Sequence, residues 1–464
     1  MLSKRWQVSW ALIATLGGCG MAPDAVEESS TDLLSIGGLE PSRNSAGIAE
    51  TVHTTGVIDR TNPFFQALGT NARTCETCHA SAMGWTLTAK GAAQAFKESE
   101  GLAPLFMLHD AGNRPDADIS TRQARKAAFS PTLIEKGLIR FGRTVPATAE
   151  FTVIAVDDPY GFATPTQITS FRRPTPTVNE AKSAQTGNAG GPQADIPAAL
   201  AATFRGATQF HGQRDPANPV PLDQQQASAT MQMGLFFAQS IDKAAGRLDA
   251  DGATGGPFHL VNQPFYVGIN DIQGNDPMTH TFTSKIFNLY DSWAHYAQEP
   301  CSDDRTEARA AIYRGQEIFN NRAFDISGVN GLNDTLGQPV IHGTCGTCHN
   351  SPNVGGHSVY RLFNIGTADE ANCSPDLPML TLQHKTMPLT KKTCDMSRGS
   401  STGLWADVGK FRAHPLRGLA ARAPYFHDGG AKTVKDVVKY HDTRFNIGFT
   451  HREAKDLEAF LNAL

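Results

Sequence analysis

Two short patterns of cysteine and histidine are the residues in this sequence best suited to chemistry. Each pattern has two cysteines three positions apart, followed at once by a histidine, in Cys75–His79 and again in Cys345–His349. Two thiols at this spacing reach the two vinyl groups of one porphyrin, and the adjacent imidazole can bind its iron. The sequence therefore predicts two covalently bound c-type haems, held by Cys75, Cys78, His79, Cys345, Cys348 and His349.

A zinc site and a redox dithiol are the two alternative interpretations of these cysteines. A four-cysteine zinc site pairs its knuckles roughly 15–20 residues apart, whereas more than half of the chain separates these two patterns. A thioredoxin-type dithiol belongs in a βαβ context, and the sequence around the two motifs does not predict one. Haem attachment is the favoured interpretation.

Three further cysteines lie in the C-terminal part of the chain. Cys373 and Cys394 flank a polar stretch that contains proline, and we predict a disulfide that closes this loop. Cys301 is then left over, either buried and inert or paired with one of the other two. The sequence does not decide the connectivity.

The N-terminus has the features of an export signal. Lys4 and Arg5 precede a mostly apolar run, Trp6–Leu16, which is too short to span a membrane. The sequence Leu-Gly-Gly-Cys that ends at Cys19 resembles a bacterial lipoprotein box, so residues 1–18 are predicted to be a signal peptide and Cys19 to carry a lipid. An ordinary signal peptide that happens to contain Cys19 is the alternative. Residues 19–50, which begin with a segment rich in Ser, Glu and Gly, are predicted to be a tether.

Length and composition set broad limits on the rest of the chain. At 464 residues a division into two domains is expected, and we predict N-terminal and C-terminal haem domains at 51–300 and 301–464. The formal net charge of −4 gives no indication of a nucleic-acid partner. Contact with a membrane is expected only through a lipid on Cys19. Export places the cysteines in an oxidising compartment.

Hydrophobic periodicity predicts helices around the haem motifs. Apolar residues at helical spacing predict helices at 306–320, before the second motif, and at 121–138. A capping box at Thr450 begins a last helix, and 151–156 is a candidate strand. The expected fold is mainly α: two cytochrome c-like domains, each around one covalent haem, with long loops and minor β structure.

Several stretches resemble a known family. The sequence FRAHPLRGLAARAPYFHDG, at 411–429, resembles the signature of the bacterial dihaem cytochrome c peroxidases and the related MauG enzymes. The resemblance continues through FRRPTPTVN at 171–179 and RGQEIF at 314–319, and it is close after about residue 300 and looser before. It implies two cytochrome c domains packed face to face. One haem then has an open distal pocket, and the other transfers electrons.

The resemblance also suggests a sixth ligand for the C-terminal haem iron. In the family this ligand lies fourteen residues after the histidine of the Tyr-x-His motif, here 425–427, which leads to His441. A helical projection supports His441 over Tyr440, because Tyr440 falls beside polar residues. The valines that share an apolar face with His441 are Val434, Val437 and Val438. Met387 and Met396 are alternatives, and His441 could also be a core histidine without iron.

Calcium is a further cofactor that the resemblance implies. In these enzymes one asparagine side chain and backbone carbonyls near the Tyr-x-His motif hold the ion. Asn179, Arg422 and Pro424 occupy the corresponding positions. Carbonyl ligands do not depend on the side chain, so Arg422 is compatible with such a site. Asn179 could equally be an ordinary turn residue.

Two positions depart from the family pattern. His211 stands where the family has a tryptophan that relays electrons between the haems, with Trp85, Trp293 and Trp405 as unplaced substitutes. The stretch 226–234 has no carboxylate where the peroxidases use a glutamate to move protons. His109 and Asp110 are candidate replacements, a distal imidazole oriented by a neighbouring group, although His109 could simply cap a turn. Weaker candidates are Glu98, Glu100 and Arg114.

Three functions are compatible with these residues. The leading hypothesis is an exported oxidoreductase that reduces H2O2 at the N-terminal haem and transfers electrons through the C-terminal haem. The others are a non-catalytic electron carrier and a MauG-like oxidase of an organic or protein substrate. The resemblance implies a small cytochrome or copper protein as electron donor, and a homodimer is compatible with it. The expected location is the periplasm or the outer membrane of a Gram-negative bacterium.

Overall fold

Helices occupy more of the chain than strands in the computed structural model, which describes residues 39–187, 195–298 and 303–464. The helices are α1 Ala89–Ser99, α2 Arg122–Phe129, α3 Leu133–Lys136, α4 Ile196–Phe210, α5 Leu222–Gly234, α6 Gly256–Asn262, α7 Ala294–Gln298, α8 Asp304–Asn321, α9 Asn333–Leu336, α10 Gly399–Thr402, α11 Val434–Phe445 and α12 His451–Asn462. This balance agrees with the expected mainly helical fold with minor β structure. Among the described residues, no helix is both long and apolar enough to span a bilayer.

The strands form small antiparallel sheets. They are β1 Glu40–Arg43, β2 Gly47–His53, β3 Ile139–Arg143, β4 Phe151–Asp157, β5 Ile168–Arg172, β6 Leu235–Asp242, β7 Gly246–Arg247, β8 Phe324–Ser327, β9 Val340–Gly343, β10 Leu362–Phe363, β11 Met379–His384, β12 Thr390–Thr393 and β13 Phe411–Arg412. The sheet orders are β1-β2-β6-β7, β12-β11-β4, β3-β5, β8-β9 and β10-β13. Phe151 pairs with His384 in the second sheet, so strands from the two halves of the chain share it.

The two halves are also joined by a buried ion pair. Arg172 Nη2 donates to Asp395 Oδ1 at 2.7 Å, and both side chains are buried. Residues 39–464 pack as one unit. The expected boundary between domains at 51–300 and 301–464 falls in the undescribed segment 299–302, so this division stays a prediction.

Several expectations from the sequence can be compared with this fold. The strand at 151–156, the helix at 306–320 and the helix capped by Thr450 are confirmed. The disulfide between Cys373 and Cys394 is also confirmed. The single helix at 121–138 is wrong, because it ends at Phe129 and only a short turn follows. Pro131 lacks an N–H and its ring clashes with the preceding turn, so the helix cannot continue through it.

Only some of the features predicted for the N-terminal segment fall within the described residues. The signal peptide at 1–18 and the lipid site at Cys19 lie outside the described residues, as does Cys301. The tether predicted to extend to residue 50 is wrong for its last part, because β1 and the start of β2 are paired strands there. Alternate residues of β2 are buried against the rest of the protein, and this burial stabilises strand over linker.

Helices α8 and α12 cross closely at Gly315, under the second haem motif. A methyl group at this glycine would lie 2.0 Å from the Asp456 carbonyl oxygen and 2.6 Å from Phe460 Cβ. Phe460 contacts Phe319 and Phe287 edge to face in the same core. The absence of a side chain at Gly315 therefore sets the distance between the two helices.

Replacing Gly315 by alanine should lower the free energy of unfolding by about 1–3 kcal/mol, because the added methyl group forces the helices apart. Gly206 provides the matched control, since it also lies inside a helix but has open space around its Cβ position. Gly206→Ala should stabilise the protein by up to about 1 kcal/mol through helix propensity alone. Urea unfolding followed by circular dichroism measures the free energy of unfolding of both variants. Equal effects of the two changes would contradict close packing at Gly315.

Candidate functional site

The two haem motifs fold as the same short turn. In each, a threonine hydroxyl between the cysteines accepts a hydrogen bond from the backbone N–H of the threonine before the first cysteine. The N–O distance is 3.1 Å both for Thr74 to Thr77 and for Thr344 to Thr347. Thr-Cys-x-Thr-Cys-His is thus a repeated six-residue unit. The two threonines of each unit are the sequence signal for this shared cap, and the Cys-x-x-Cys-His pattern alone does not include the first of them.

The histidine of each motif is oriented in the same way. His79 Nδ1 donates to the Trp85 carbonyl oxygen at 3.1 Å, and His349 Nδ1 donates to the Gly355 carbonyl oxygen at 2.6 Å. Each acceptor lies six residues after its histidine. Burial lowers the pKa of both imidazoles to about 4, so they are neutral at neutral pH. A neutral imidazole whose Nδ1–H is bound to a carbonyl presents Nε2 as a metal ligand.

The paired thiols lie in apolar surroundings. Burial raises the pKa of all four motif cysteines to about 12, so the thiols are protonated. Within 39–187, 195–298 and 303–464, no group of three or more metal-binding side chains forms around either pair. Because a structural zinc ion takes about four protein ligands, the described residues do not support a zinc site. Buried thiols beside an oriented imidazole fit thioether attachment to haem.

A cavity of about 310 Å³ opens beside the second motif. Both Cys345 and Cys348 line it, together with His349 and, from helix α11, His441. Its walls are mainly aromatic and aliphatic, and they include Phe319, Phe324, Ile326, Phe363, Val437, Val438 and Leu461. A deep apolar cavity that contains the attachment cysteines and two imidazoles fits a porphyrin ring.

His441 lies in this cavity and Tyr440 does not. His441 Nδ1 donates to the Val437 carbonyl oxygen at 2.9 Å, which leaves Nε2 without a proton, as in the two motif histidines. The Tyr440 hydroxyl instead donates to the Ile365 carbonyl oxygen at 2.8 Å. Of the alternative ligands, Met396 packs in the core of the β4–β11 sheet and Met387 is largely exposed. His441 is the candidate sixth ligand that shares the cavity with His349.

One side of the cavity is strongly cationic. The half-buried Arg173 and the buried Arg412 and Arg422 line it, and Glu180 is the nearby acid, with Oε2 3.5 Å from Arg412 Nη2. Burial and the neighbouring charge of Arg173 lower the pKa of Arg422 to about 9. Within the described part of the chain, Arg412 Nη1 and Arg422 Nη2 are buried donors without a hydrogen-bond partner. Haem has two carboxylates, which these guanidinium groups could bind.

A buried polar cluster lies beside the first motif. Asp110 is fully buried, and its two oxygens each lie 2.6 Å from Arg73 Nη1. Asp110 Oδ2 also accepts from His211 Nδ1 at 2.7 Å. Arg73 lies two residues before the first motif cysteine. The structure therefore brings two candidates of the sequence analysis, Asp110 and His211, together beside the first motif.

His109 occupies a less favourable position than His211. Its Nε2 lies 3.2 Å from Asp110 Oδ2, but the angle is outside hydrogen-bond geometry and this buried nitrogen has no partner among the described residues. The weaker candidates lie in exposed contacts. Glu98 accepts from Gln94 on the surface of helix α1, Glu100 is next to Arg122, and Arg114 binds Asp116.

The three unplaced tryptophans occupy different surroundings. Trp85 is buried next to the first motif, and its indole donates to the Thr51 hydroxyl at 2.8 Å. Trp293 stacks on Tyr290 in the C-terminal core. Trp405 packs on Phe151 at the β4–β11 sheet. Trp85 is the one whose carbonyl orients a motif histidine.

Two of the three residues implied for calcium, Asn179 and Arg422, contact Phe237. Asn179 Oδ1 accepts from the Phe237 N–H at 2.9 Å, and Asn179 Nδ2 donates to the Phe237 carbonyl oxygen at 2.9 Å. The Arg422 guanidinium lies over the Phe237 ring, 5.4 Å from its centroid, and Pro424 follows in the same turn. Asn179 thus has a structural role, and calcium at Asn179, Arg422 and Pro424 stays a prediction.

Comparison with known proteins identifies peroxidases as relatives. Cytochrome-c peroxidase IdrP1 of Denitromonas iodatirespirans is 31% identical over 140 residues, 26% of this chain and 36% of that protein. Cytochrome c551 peroxidase of Nitrosomonas europaea is 30% identical over 177 residues, 36% of this chain and 46% of that protein. The chain thus matches less than half of the length of these curated relatives. No protein-family model matches.

Among solved structures, a MauG-like protein associated with microbial copper homeostasis is 14% identical, with 87% of this chain and 86% of that chain covered. The TM-score is 0.37. Through these sequence relatives and its two Thr-Cys-x-Thr-Cys-His units, this chain is similar to bacterial cytochrome c peroxidases over 26–36% of its length.

Proposed function

We propose that this protein is an exported dihaem c-type oxidoreductase that reduces H2O2. The first haem is the reactive site and the second is the electron-transfer site. The observation that carries this proposal is the difference between the two sites. The second motif shares an apolar cavity with an opposing histidine, whereas the first motif adjoins the buried polar cluster of Arg73, Asp110 and His211.

Each site suits its assigned role for a physical reason. Bound haem supplies an iron that cycles between oxidation states. At the second site, His349 and His441 line one cavity with their Nδ1 atoms held by backbone carbonyls, so both would hold the iron and leave it suited to outer-sphere electron transfer. At the first site, ionisable side chains are held in defined positions, as proton transfer to and from peroxide requires.

The remaining parts of the proposal concern location and partners. The signal sequence and Cys19 favour export, with a lipid that holds the protein at a membrane surface. A small cytochrome or copper protein of the same compartment then delivers electrons to the second haem. Relatives called cytochrome c peroxidases support peroxide as the oxidant.

Steady-state oxidation of a reduced small cytochrome by H2O2, with purified protein that carries both haems, tests the proposal. We expect turnover that depends on both reactants, and a resting or half-reduced state in which the first haem is high-spin and the second low-spin. A protein with two low-spin haems that does not react with peroxide would be an electron carrier, and the proposal would fail.

A further inference from the structure

The first haem motif is tied to the end of helix α4 at His211. The Thr70 N–H donates to the Gly212 carbonyl oxygen at 2.9 Å, and Asn71 Nδ2 donates to the His211 carbonyl oxygen at 2.7 Å. These residues immediately precede the motif.

Asp110 determines which nitrogen of His211 carries the proton. The carboxylate is buried and contacts Arg73 with both oxygens, so it is ionised and can only accept from His211 Nδ1. The Nδ1–H is therefore fixed in this hydrogen bond, and Nε2 keeps its lone pair. The edge-to-face contact with Phe141, at 5.9 Å and 85°, restricts the ring further.

His211 is also accessible where Asp110 is not. Its side chain is 35% exposed, against 0% for Asp110. Phe141, which contacts it, packs against the same apolar cluster as Cys78. An oriented imidazole with a free Nε2, next to a haem motif and open to solvent, has the features of a general base.

We propose that His211 is the general base of the first haem site and that Asp110 is its positioning residue. This inference rests on the proposed peroxidase function. When H2O2 is deprotonated, His211 Nε2 accepts the proton and then returns it to the oxygen that leaves as water when the O–O bond breaks. Two electrons from the small redox donor and two protons from solvent convert the other oxygen to the second water.

This assignment provides the proton-handling group that the stretch 226–234 lacks. That stretch forms most of helix α5 and contains no carboxylate. It also gives a chemical role to the imidazole at the position where related enzymes have a tryptophan. Asp110 does not itself exchange protons, because its hydrogen bonds hold it as the anion.

Cyanide binding tests the base without peroxide turnover. HCN must lose its proton to bind ferric iron as cyanide, whereas imidazole binds without losing one. In His211→Leu the association rate of cyanide with the first haem should fall about 100-fold, and imidazole affinity should stay within about twofold. His342→Leu is the matched control, because it removes an imidazole paired with Asp325 on the surface, both about 70% exposed. It should leave the cyanide rate unchanged.

Asp110→Asn tests the positioning role with nearly the same side-chain volume. An amide no longer fixes the His211 tautomer, so the cyanide rate should fall about tenfold while haem content and imidazole affinity are retained. A purely structural role for Asp110 would change haem content and both ligands together, and would contradict the assignment.

Other outcomes overturn the inference on His211. The first is an unchanged rate of cyanide association in His211→Leu. The second is a fall in that rate in His109→Leu instead. The third is a low-spin first haem that becomes high-spin in His211→Leu, which would make His211 an iron ligand. Failure of the wild-type protein to reduce H2O2 would overturn the proposed function. If the wild-type protein reduces H2O2 but His211→Leu binds cyanide at the wild-type rate, only the role of His211 is overturned.

Discussion

His441→Gly should convert the second haem from a low-spin to a high-spin ferric spectrum. His441 and His349 line the same cavity, so in the proposed ligation the removal of His441 would leave the iron with one protein ligand. Added imidazole should occupy the vacated space and restore the low-spin spectrum. His441→Met should keep a six-coordinate iron but raise its reduction potential, because a thioether favours the reduced metal.

Tyr440→Phe is the matched control for His441. It changes the adjacent residue of the same helix, which does not line the cavity and whose hydroxyl donates to the Ile365 carbonyl oxygen. Its haem spectrum should equal that of the wild-type protein. Absorption and electron paramagnetic resonance spectra of the oxidised proteins decide the result. An unaltered spectrum in His441→Gly, or a high-spin shift in Tyr440→Phe, would show that another side chain binds this iron.

Asp110→Ala should lower the free energy of unfolding by about 3–5 kcal/mol. The change leaves the Arg73 guanidinium, which is 3% exposed, without its carboxylate in a buried site. The expected loss is large compared with the stability of a typical protein, about 5–15 kcal/mol. Asp325→Ala, which breaks the exposed pair with His342, should cost at most about 1 kcal/mol. Urea unfolding of the haem-loaded proteins measures both.

The buried pair of Arg73 and Asp110 also predicts how the free energy of unfolding depends on pH. Burial by itself would raise the pKa of Asp110, but the nearby imidazoles of His109 and His211 and the charge of Arg73 outweigh it and lower the pKa. The contribution of Asp110 is therefore complete above the pKa of an unfolded aspartate, about 3.9, and is lost as the pH falls below it. The difference between wild type and Asp110→Ala should be constant near neutral pH and shrink in acid. A difference that grows in acid would contradict the ionised carboxylate.

Local patterns in the sequence predicted local structure well. The helix at 306–320 and the capping box at Thr450 were found because a periodic apolar face and a cap are short-range signals. The helix at 121–138 was wrong because its apolar pattern continued through Pro131, where the backbone cannot. The hairpin of β1 and β2 was missed, since its stability comes from pairing with β6, far along the chain.

In the candidate site, too, the features that depend on local geometry were predicted, and the contacts between distant segments were not. The projection that placed His441 and Tyr440 on different sides of helix α11 depends only on helix geometry, and the side chains do point to different surroundings. The contact between Asp110 and His211 spans 101 residues of sequence, and nothing in either segment indicates the other. Arg73 is equally inconspicuous in the sequence, although it completes the buried cluster.

The sequence by itself predicted the chemistry of cofactor attachment, because two thiols and an imidazole at fixed spacing act within a single turn of chain. Tertiary structure decided how the two sites differ. Helix α11 brings His441 into the apolar cavity of the second motif, and the end of helix α4 brings His211 to Asp110 beside the first. Such differences depend on which distant elements pack against each motif, and that depends on the burial of apolar surface across the whole fold rather than on any local pattern.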